Sequence, residues 1–364
     1  MSSSLAVVNV TTRNYLYRTR VLYKSVAKIM PGSQFTAVCA DEISNIHDIS
    51  HEPFPLIEAL SLGIPRFKQL ALALDPTALC CMLKAHAVKN ALKNPKITHV
   101  LYIDNDMVIY DKPAELLLAL KKFSFVLTPH HLNPLPRHAF PSEQLLVDYG
   151  VFNAGIFGLK KGVESGRFLD WWLQWMMDPR RVEQKRGYDQ IWMNYIPVYL
   201  KNVHILRNKA YNVAFWNLYE RDLAIRRNNR VWCGNEPLVS FHFSNFSEEH
   251  PESLVWPRVT SNFKPRNVHR TLTADITNRW AKAGRDECKA WGYGFAKWPD
   301  GVNIKPIERD IIKRNWDNIP KAADPWDRNE RQGRRLVRLV RSQKHKILMG
   351  KVFEKIKQLI KART

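Results

Sequence analysis

The chain has 364 residues, 45% apolar and 11% aromatic, which excludes a disordered chain and supplies one sizeable core with an appendage, or two small domains. Its formal charge of +22 implies an anionic partner: nucleic acid, a membrane surface or a phosphorylated substrate. Five cysteines, an odd number without C-x-x-C spacing, exclude a zinc site or disulfide framework and point to a reducing compartment. Met1 to Leu5 shows no signal peptide, and no apolar run approaches the ~20 residues that cross a bilayer. A cytoplasmic protein is the expectation.

Leu5–Val10 reads as a strand, Tyr15 to Met30 as a helix stopped by Pro31-Gly32, and Gln34–Cys39 as a second strand. This order opens a parallel α/β sheet. Ala78 to Leu92 reads as a helix, Val100–Ile103 as a buried strand and Lys122–Leu127 as another. Residues 129–148, rich in His and Pro, read as a loop over a cleft. Phe152–Leu159 is an apolar strand, Phe168–Met177 a Trp-rich helix and Tyr188–Ile196 a short helix. His204–Leu206 and Leu238–Phe243 are late strands, and 246–330, with weak periodicity, reads as an irregular extension packed on the core. Residues 331–364 read as a basic amphipathic helix, or two broken at Gly350. Residues 330–364 hold 12 Lys/Arg against 2 Asp/Glu, nearly half the excess charge of the chain.

The chemistry concentrates at Tyr102-Ile103-Asp104-Asn105-Asp106. Two carboxylates flank one residue at the end of an apolar strand, where open α/β sheets bind ligands. Both can turn toward one hard cation, Mn2+ or Mg2+, and bridge it to a diphosphate. The plainer alternative is a solvated turn before Lys112-Pro113. Lys84 can neutralise phosphate or be an ordinary helix lysine. Small residues in Asn153-Ala154-Gly155 let backbone approach a ligand or another strand. Asp189 can be an N-cap or a reacting group beside Gln190, and His242 a ligand or a satisfied polar residue.

In these pieces, over residues 5–245, the sequence resembles the retaining family-8-like nucleotide-sugar glycosyltransferases of bacteria. That resemblance implies α/β architecture: a single GT-A domain (1–245) with a mixed central sheet, followed by the extension (246–330) and basic tail (331–364). It implies a hexosyltransferase-like enzyme moving a sugar from a UDP-type donor to a saccharide or lipid-linked acceptor, as in surface polysaccharide or lipopolysaccharide synthesis. Thr11, Thr12, Asn14 and Tyr15 resemble the loop that cradles nucleobase and ribose. Lys84 resembles the basic group reaching the diphosphate, and Asp104, Asn105 and Asp106 the metal motif. Asn153, Ala154 and Gly155 resemble the strand facing the donor sugar, Asp189 and Gln190 the pair beside the reacting carbon, and His242 the third metal ligand.

The chain departs from the family's H-x-x-G-x-x-K-P-W after His242, having Asn245 and Glu248 instead. A second phosphate contact must come from elsewhere or be absent; Lys264 and Arg266 are the residues considered. An inverting enzyme would instead need a carboxylate base, with Asp148 and Asp170 as candidates. Trp171, Trp172, Trp175, His130 and His131 are considered for the acceptor side. The basic tail suggests peripheral binding to the anionic inner face of a membrane. Nucleic acid is disfavoured as a partner, since it would not need carboxylates on a buried strand. A binding or scaffold protein without turnover, and a nucleotidyltransferase, are the competing readings; the latter usually has a Gly-rich loop, and residues 7–12 contain no glycine.

Overall fold

A computed structural model describes residues 4–137, 142–182, 188–251, 254, 266–321, 323–327 and 329–361, the side chains of 227 and 352–361 excepted. Strand β1 (Leu5–Thr11) leads into α1 (Leu16–Ile29), which buries Leu16, Tyr17, Val21, Leu22 and Val26 on one face. Gly32, at φ 85°, turns the chain into β2 (Gln34–Cys39), followed by β3 (Leu56–Glu58) and α2 (Phe67–Ala73). Helix α3 (Pro76–Ala91) starts where the Asp75 carboxylate accepts the Ala78 N–H at 2.9 Å, with proline at the first helical position. Then come β4 (His99–Ile103), β5 (Met107–Ile109), α4 (Ala114–Lys122) and β6 (Phe125–Pro129). Within the expected loop over 129–148, Ser142 caps α5 (Glu143–Tyr149) by accepting the Leu145 N–H. The order continues with β7 (Phe152–Lys160), α6 (Val163–Met176), a 3-10 turn over Gln190–Tyr195, α7 (Ile196–Tyr199) and β8 (Val203–Ile205). Short strands β9 (Leu223–Arg226), β10 (Arg230–Cys233) and β11 (Glu236–Pro237) form a meander before β12 (Ser240–His242).

The central sheet has seven strands in the order β3-β2-β1-β4-β7-β6-β8. All run parallel except β7, which pairs antiparallel to both neighbours. The expected α/β fold with a mixed sheet is what the structure has. Alternation along the strands separates two cores. Val8, Tyr102, Phe125 and Phe157 face α2, α3 and α6, while Val7, Leu101, Val126 and Ile156 face α1 and α4.

Where an irregular stretch was expected over 246–330, three helices stand among irregular connections: α8 (Asn267–Lys282), α9 (Arg285–Trp291) and α10 (Pro306–Arg314). Val268, Leu272, Ile276 and Trp280, spaced by four, bury against the α1 side of the sheet. Arg309 of α10 is buried and donates to the carbonyls of Ala71, Leu72, Leu74 and Phe295, so the extension closes the end of α2. The tail is one helix, α11 (Arg331–Lys361), running through Gly350 without a break. Its first turns are docked: Leu336 and Val340 are in the core, and Lys344 pairs with Glu308 of α10 at 3.1 Å. Leu348 and Met349 stand 45% and 42% exposed. Among the described residues no helix is long and apolar enough to cross a membrane.

Candidate functional site

Strand β1 pairs with β2 on one side and β4 on the other, and the chain covers opposite faces of the sheet on the two sides. This is a switch point, the place outside the carboxyl ends of the strands where open α/β sheets bind ligands. Main-chain pairing of β1 with β4 stops at Val8–Tyr102; beyond it the buried Asn9 amide donates to the Ile103 carbonyl at 2.7 Å. Asp104 follows at once, its N–H held by the Gly155 carbonyl of β7 at 2.7 Å. Asn105 turns back to donate to Thr11 Oγ1 at 3.0 Å, tying the two strand ends together. The loop after β1 is closed by Thr12 Oγ1 to Asn14 Oδ1 (2.7 Å) and leaves Tyr15 exposed.

His242 arrives on β12, paired with Met107 of β5, so the ribbon sets it beside Asp106. Its Nε2 lies 2.9 Å from Asp106 Oδ1, and Nδ1 lies 3.3 Å from Asn212 Oδ1. A ligand atom from each of Asp104, Asp106 and His242 falls within 4.8 Å of the others. Gly155 makes room: a Cβ there would stand 2.5 Å from His242 Cε1. Two carboxylates and an imidazole around that cradle suit a borderline-hard divalent cation such as Mn2+. Burial works against the Asp106 charge, but His242 outweighs it and the carboxyl lies at about 2.

Lys84, on α3, is 5% exposed. Its Nζ lies 3.1 Å from Asp104 Oδ1, 3.3 Å from Asp189 Oδ2 and 3.1 Å from the Ala154 carbonyl. Burial disfavours the ammonium, yet Asp104 and Asp189 override it and hold Lys84 charged well above the ordinary lysine range. Burial pushes the Asp189 carboxyl up against the pull of Lys84. Asp189 is 2% exposed and makes no N-cap bond to the turn it precedes. Gln190 Oε1 accepts from Asn153 Nδ2 (3.2 Å) and the Ala154 N–H (3.4 Å). Thr11, Thr12, Asn14, Tyr15, Lys84, Asp104, Asn105, Asp106, Asn153, Ala154, Gly155, Gln190 and His242 thus lie around the ends of β1, β4 and β7, and Asp189 is buried behind Lys84.

Sequence reasoning passed over Asn212. Its φ of 49° is tolerated by few residues besides Asn and Gly. Its amide donates to Asn153 Oδ1 at 3.1 Å while its side-chain carbonyl meets His242, linking the Asp106–His242 pair to the Asn153–Gln190 pair. His130 joins this network, taking the Asn153 amide at 3.2 Å and packing on Trp216, which also packs on His242. Burial pushes His130 down to about 3, so its imidazole is neutral. Asn245, which stands where the resembling motif has glycine, is left-handed at φ 57°.

The remaining candidates fall elsewhere. Trp172 is in the core; Trp171 and Trp175 cluster with Trp192 on the outer flank of α6. His131 packs on Tyr219. Asp170 pairs with Lys89 on the surface at 2.6 Å, and Asp148, exposed on α5, accepts from the Gln144 amide at 3.3 Å. Arg266 pairs with Asp222 at 3.9 Å, and Lys264 lies outside the described residues.

No protein-family model matches the chain. It is similar to the uncharacterized protein YfnF of Bacillus subtilis strain 168, 22% identical over 279 residues, covering 74% of this chain and 88% of that one. It is also similar to YfnD of the same organism, likewise uncharacterized, 26% identical over 161 residues, 43% of this chain and about half (50%) of that one. Similar solved structures include the galactosyltransferase LgtC with donor and acceptor sugar analogues, 15% identical, covering 76% of this chain and 95% of that one at a TM-score of 0.40. Another is the glycosyltransferase GlyE of Streptococcus pneumoniae TIGR4, 14% identical, covering 79% and 64% at a TM-score of 0.41. Both of these neighbours are glycosyltransferases.

Proposed function

We propose that this chain is a metal-dependent glycosyltransferase of the GT-A type, moving a sugar from a nucleoside diphosphate donor, UDP in the first instance, to a saccharide or lipid-linked acceptor with retention. The observation that carries the reading is the meeting of Asp104, Asp106 and His242 beside the charged Lys84 around the carboxyl ends of β1 and β4. Asp104, Asp106 and His242 would hold the cation. Bound Mn2+ or Mg2+ supplies Lewis-acid charge for the diphosphate as it leaves. Lys84, already charged and fixed by three oxygens, adds a pre-oriented positive group to the same oxygens. Thr11, Thr12, Asn14 and Tyr15 bind nucleobase and ribose. Asn153 and Gln190, bonded as one unit with the Ala154 and Gly155 backbone, orient the donor sugar. Asp189 acts through Lys84, as a positioning residue.

The basic end of α11 brings the enzyme to an anionic membrane surface and a lipid-linked acceptor of surface polysaccharide synthesis, each basic residue contributing roughly 1 kcal/mol there before screening. Turnover of a panel of nucleotide sugars with and without Mn2+ tests the class, and NMR of the product tests its anomeric configuration. One donor turned over only with Mn2+, with retained configuration, is expected. Binding without turnover of any donor would leave a scaffold; an inverted product would remove the retaining mechanism.

A further inference from the structure

Lys84 cannot grip a diphosphate alone, because Asp104, Asp189 and the Ala154 carbonyl already share its ammonium. Six residues past His242, where the resemblance puts a lysine, stands Glu248. Its side chain is 6% exposed and heavily shared. It accepts from the Tyr17 hydroxyl at 2.7 Å and pairs with Lys289 at 3.2 Å and Arg285 at 3.3 Å. Arg18 holds the loosest share, at 3.8 Å. Arg285 also pairs with Asp286 at 2.8 Å, so Lys289 and Arg285 hold Glu248 closely and leave Arg18 the most distant of its three cations.

Arg18 is held by stacking in addition to its loose pairing with Glu248 at 3.8 Å. Its guanidinium lies 4.4 Å from the centroids of both Tyr15 and Trp280. Among the described residues its hydrogen bond is from Nε to the Tyr17 hydroxyl, at 3.2 Å. Tyr15 belongs to the donor loop. Trp280 contacts Phe243, whose N–H donates to the Asp106 carbonyl at 2.8 Å. The stack therefore sits between the nucleoside loop and the Asp106–His242 edge, with the Arg18 side chain 16% exposed. A permanently charged fork of donors, held in place by two rings and paired with Glu248 only at 3.8 Å, matches phosphate oxygens.

We propose that Arg18 binds the diphosphate of the nucleotide donor as its second protein cation. This rests on the donor-site reading above. Calorimetric binding of UDP with Mn2+ and of uridine alone, for wild type, Arg18→Met and Arg18→Lys, tests it. Arg18→Met is expected to weaken UDP binding about tenfold or more, leave uridine within twofold, and be partly restored in Arg18→Lys. Equal UDP affinity in Arg18→Met and wild type, or equal losses for UDP and uridine, overturns the proposal while leaving the glycosyltransferase reading intact. Should Arg18→Met not fold, Arg18→Gln is read by the same two ligands. Wild type that binds none of UDP, GDP, ADP, CDP or TDP removes the donor site and the role of Arg18 with it.

Discussion

At the scale of single residues, the site depends on one missing side chain as much as on those present. Gly155 gives His242 its place, since a Cβ there would press on the ring at 2.5 Å and on Asn153 Oδ1 at 2.7 Å. Gly155→Ala is therefore expected to displace His242, cut Mn2+ affinity roughly tenfold or more and lower stability by about 1–3 kcal/mol. Metal titration and urea unfolding read the two effects, and an unchanged Mn2+ affinity would contradict the cradle. The Asp104-Asn105-Asp106 triplet was legible because charge at the end of an apolar strand has few structural uses. Asn212 was not: a lone Asn in a polar stretch carries no periodicity, and its role exists only once β7 and β12 converge on it. Asp189 shows the converse. Its pairing with Gln190 suggested a reacting group, but the fold buries it behind Lys84, a distance relation that no local pattern encodes.

At the scale of elements, β1, β2, β4 and β7 were readable within a residue or two, because strands buried on both faces are uninterrupted apolar runs. Helix α8 was missed although Val268, Leu272, Ile276 and Trp280 mark its face. Thr271, Thr273, Thr277 and Asn278 between them are weak helix formers, and tertiary burial of Trp280 outweighs that preference. Helix α11 has two halves with different roles. A chain ending at Gly350 keeps Leu336 and Val340 docked, so its Tm should stay within about 2 °C of wild type while anionic-vesicle binding falls. A chain ending at Glu330 uncovers the sites of both side chains, at about 1.5–3 kcal/mol each, and should melt lower by several degrees. Differential scanning calorimetry and vesicle sedimentation compare the two. Undiminished vesicle binding by the chain ending at Gly350 would reject the far half of α11 as an anchor.

At the scale of the whole molecule, the extension is bound to the α/β body beside the loop that follows β1. Arg13 of that loop donates to the Gly292 and Trp291 carbonyls at 3.0 Å each, and Asp41 accepts the Gly294 N–H at 2.7 Å. The loop that follows β1 and the C-terminal helices should therefore unfold together. The stability of the whole chain carries a pH signature. Burial pushes His130 to about 3 and His86, His131 and His269 to about 4, against an ordinary 6.5. Between those values the unfolded chain binds more protons than the folded one. Stability is thus full above pH 6.5 and lost as pH falls toward 4, by several kcal/mol at about 1.4 kcal/mol for each pH unit between the folded and unfolded values. A Tm falling steadily from about pH 6.5 to 4.5, less so in His130→Gln, is the expected record; a flat Tm down to about pH 5 would contradict neutral buried imidazoles.

If Asp104, Asp106 and His242 form one cation site serving a nucleoside diphosphate, each must contribute to holding the same ion. Electron paramagnetic resonance of Mn2+ with UDP present, in wild type, Asp106→Ala and His242→Ala, tests it most directly. One bound Mn2+ in wild type, weakened roughly hundredfold by either substitution, is the predicted result. Equal Mn2+ binding in all three proteins would contradict it.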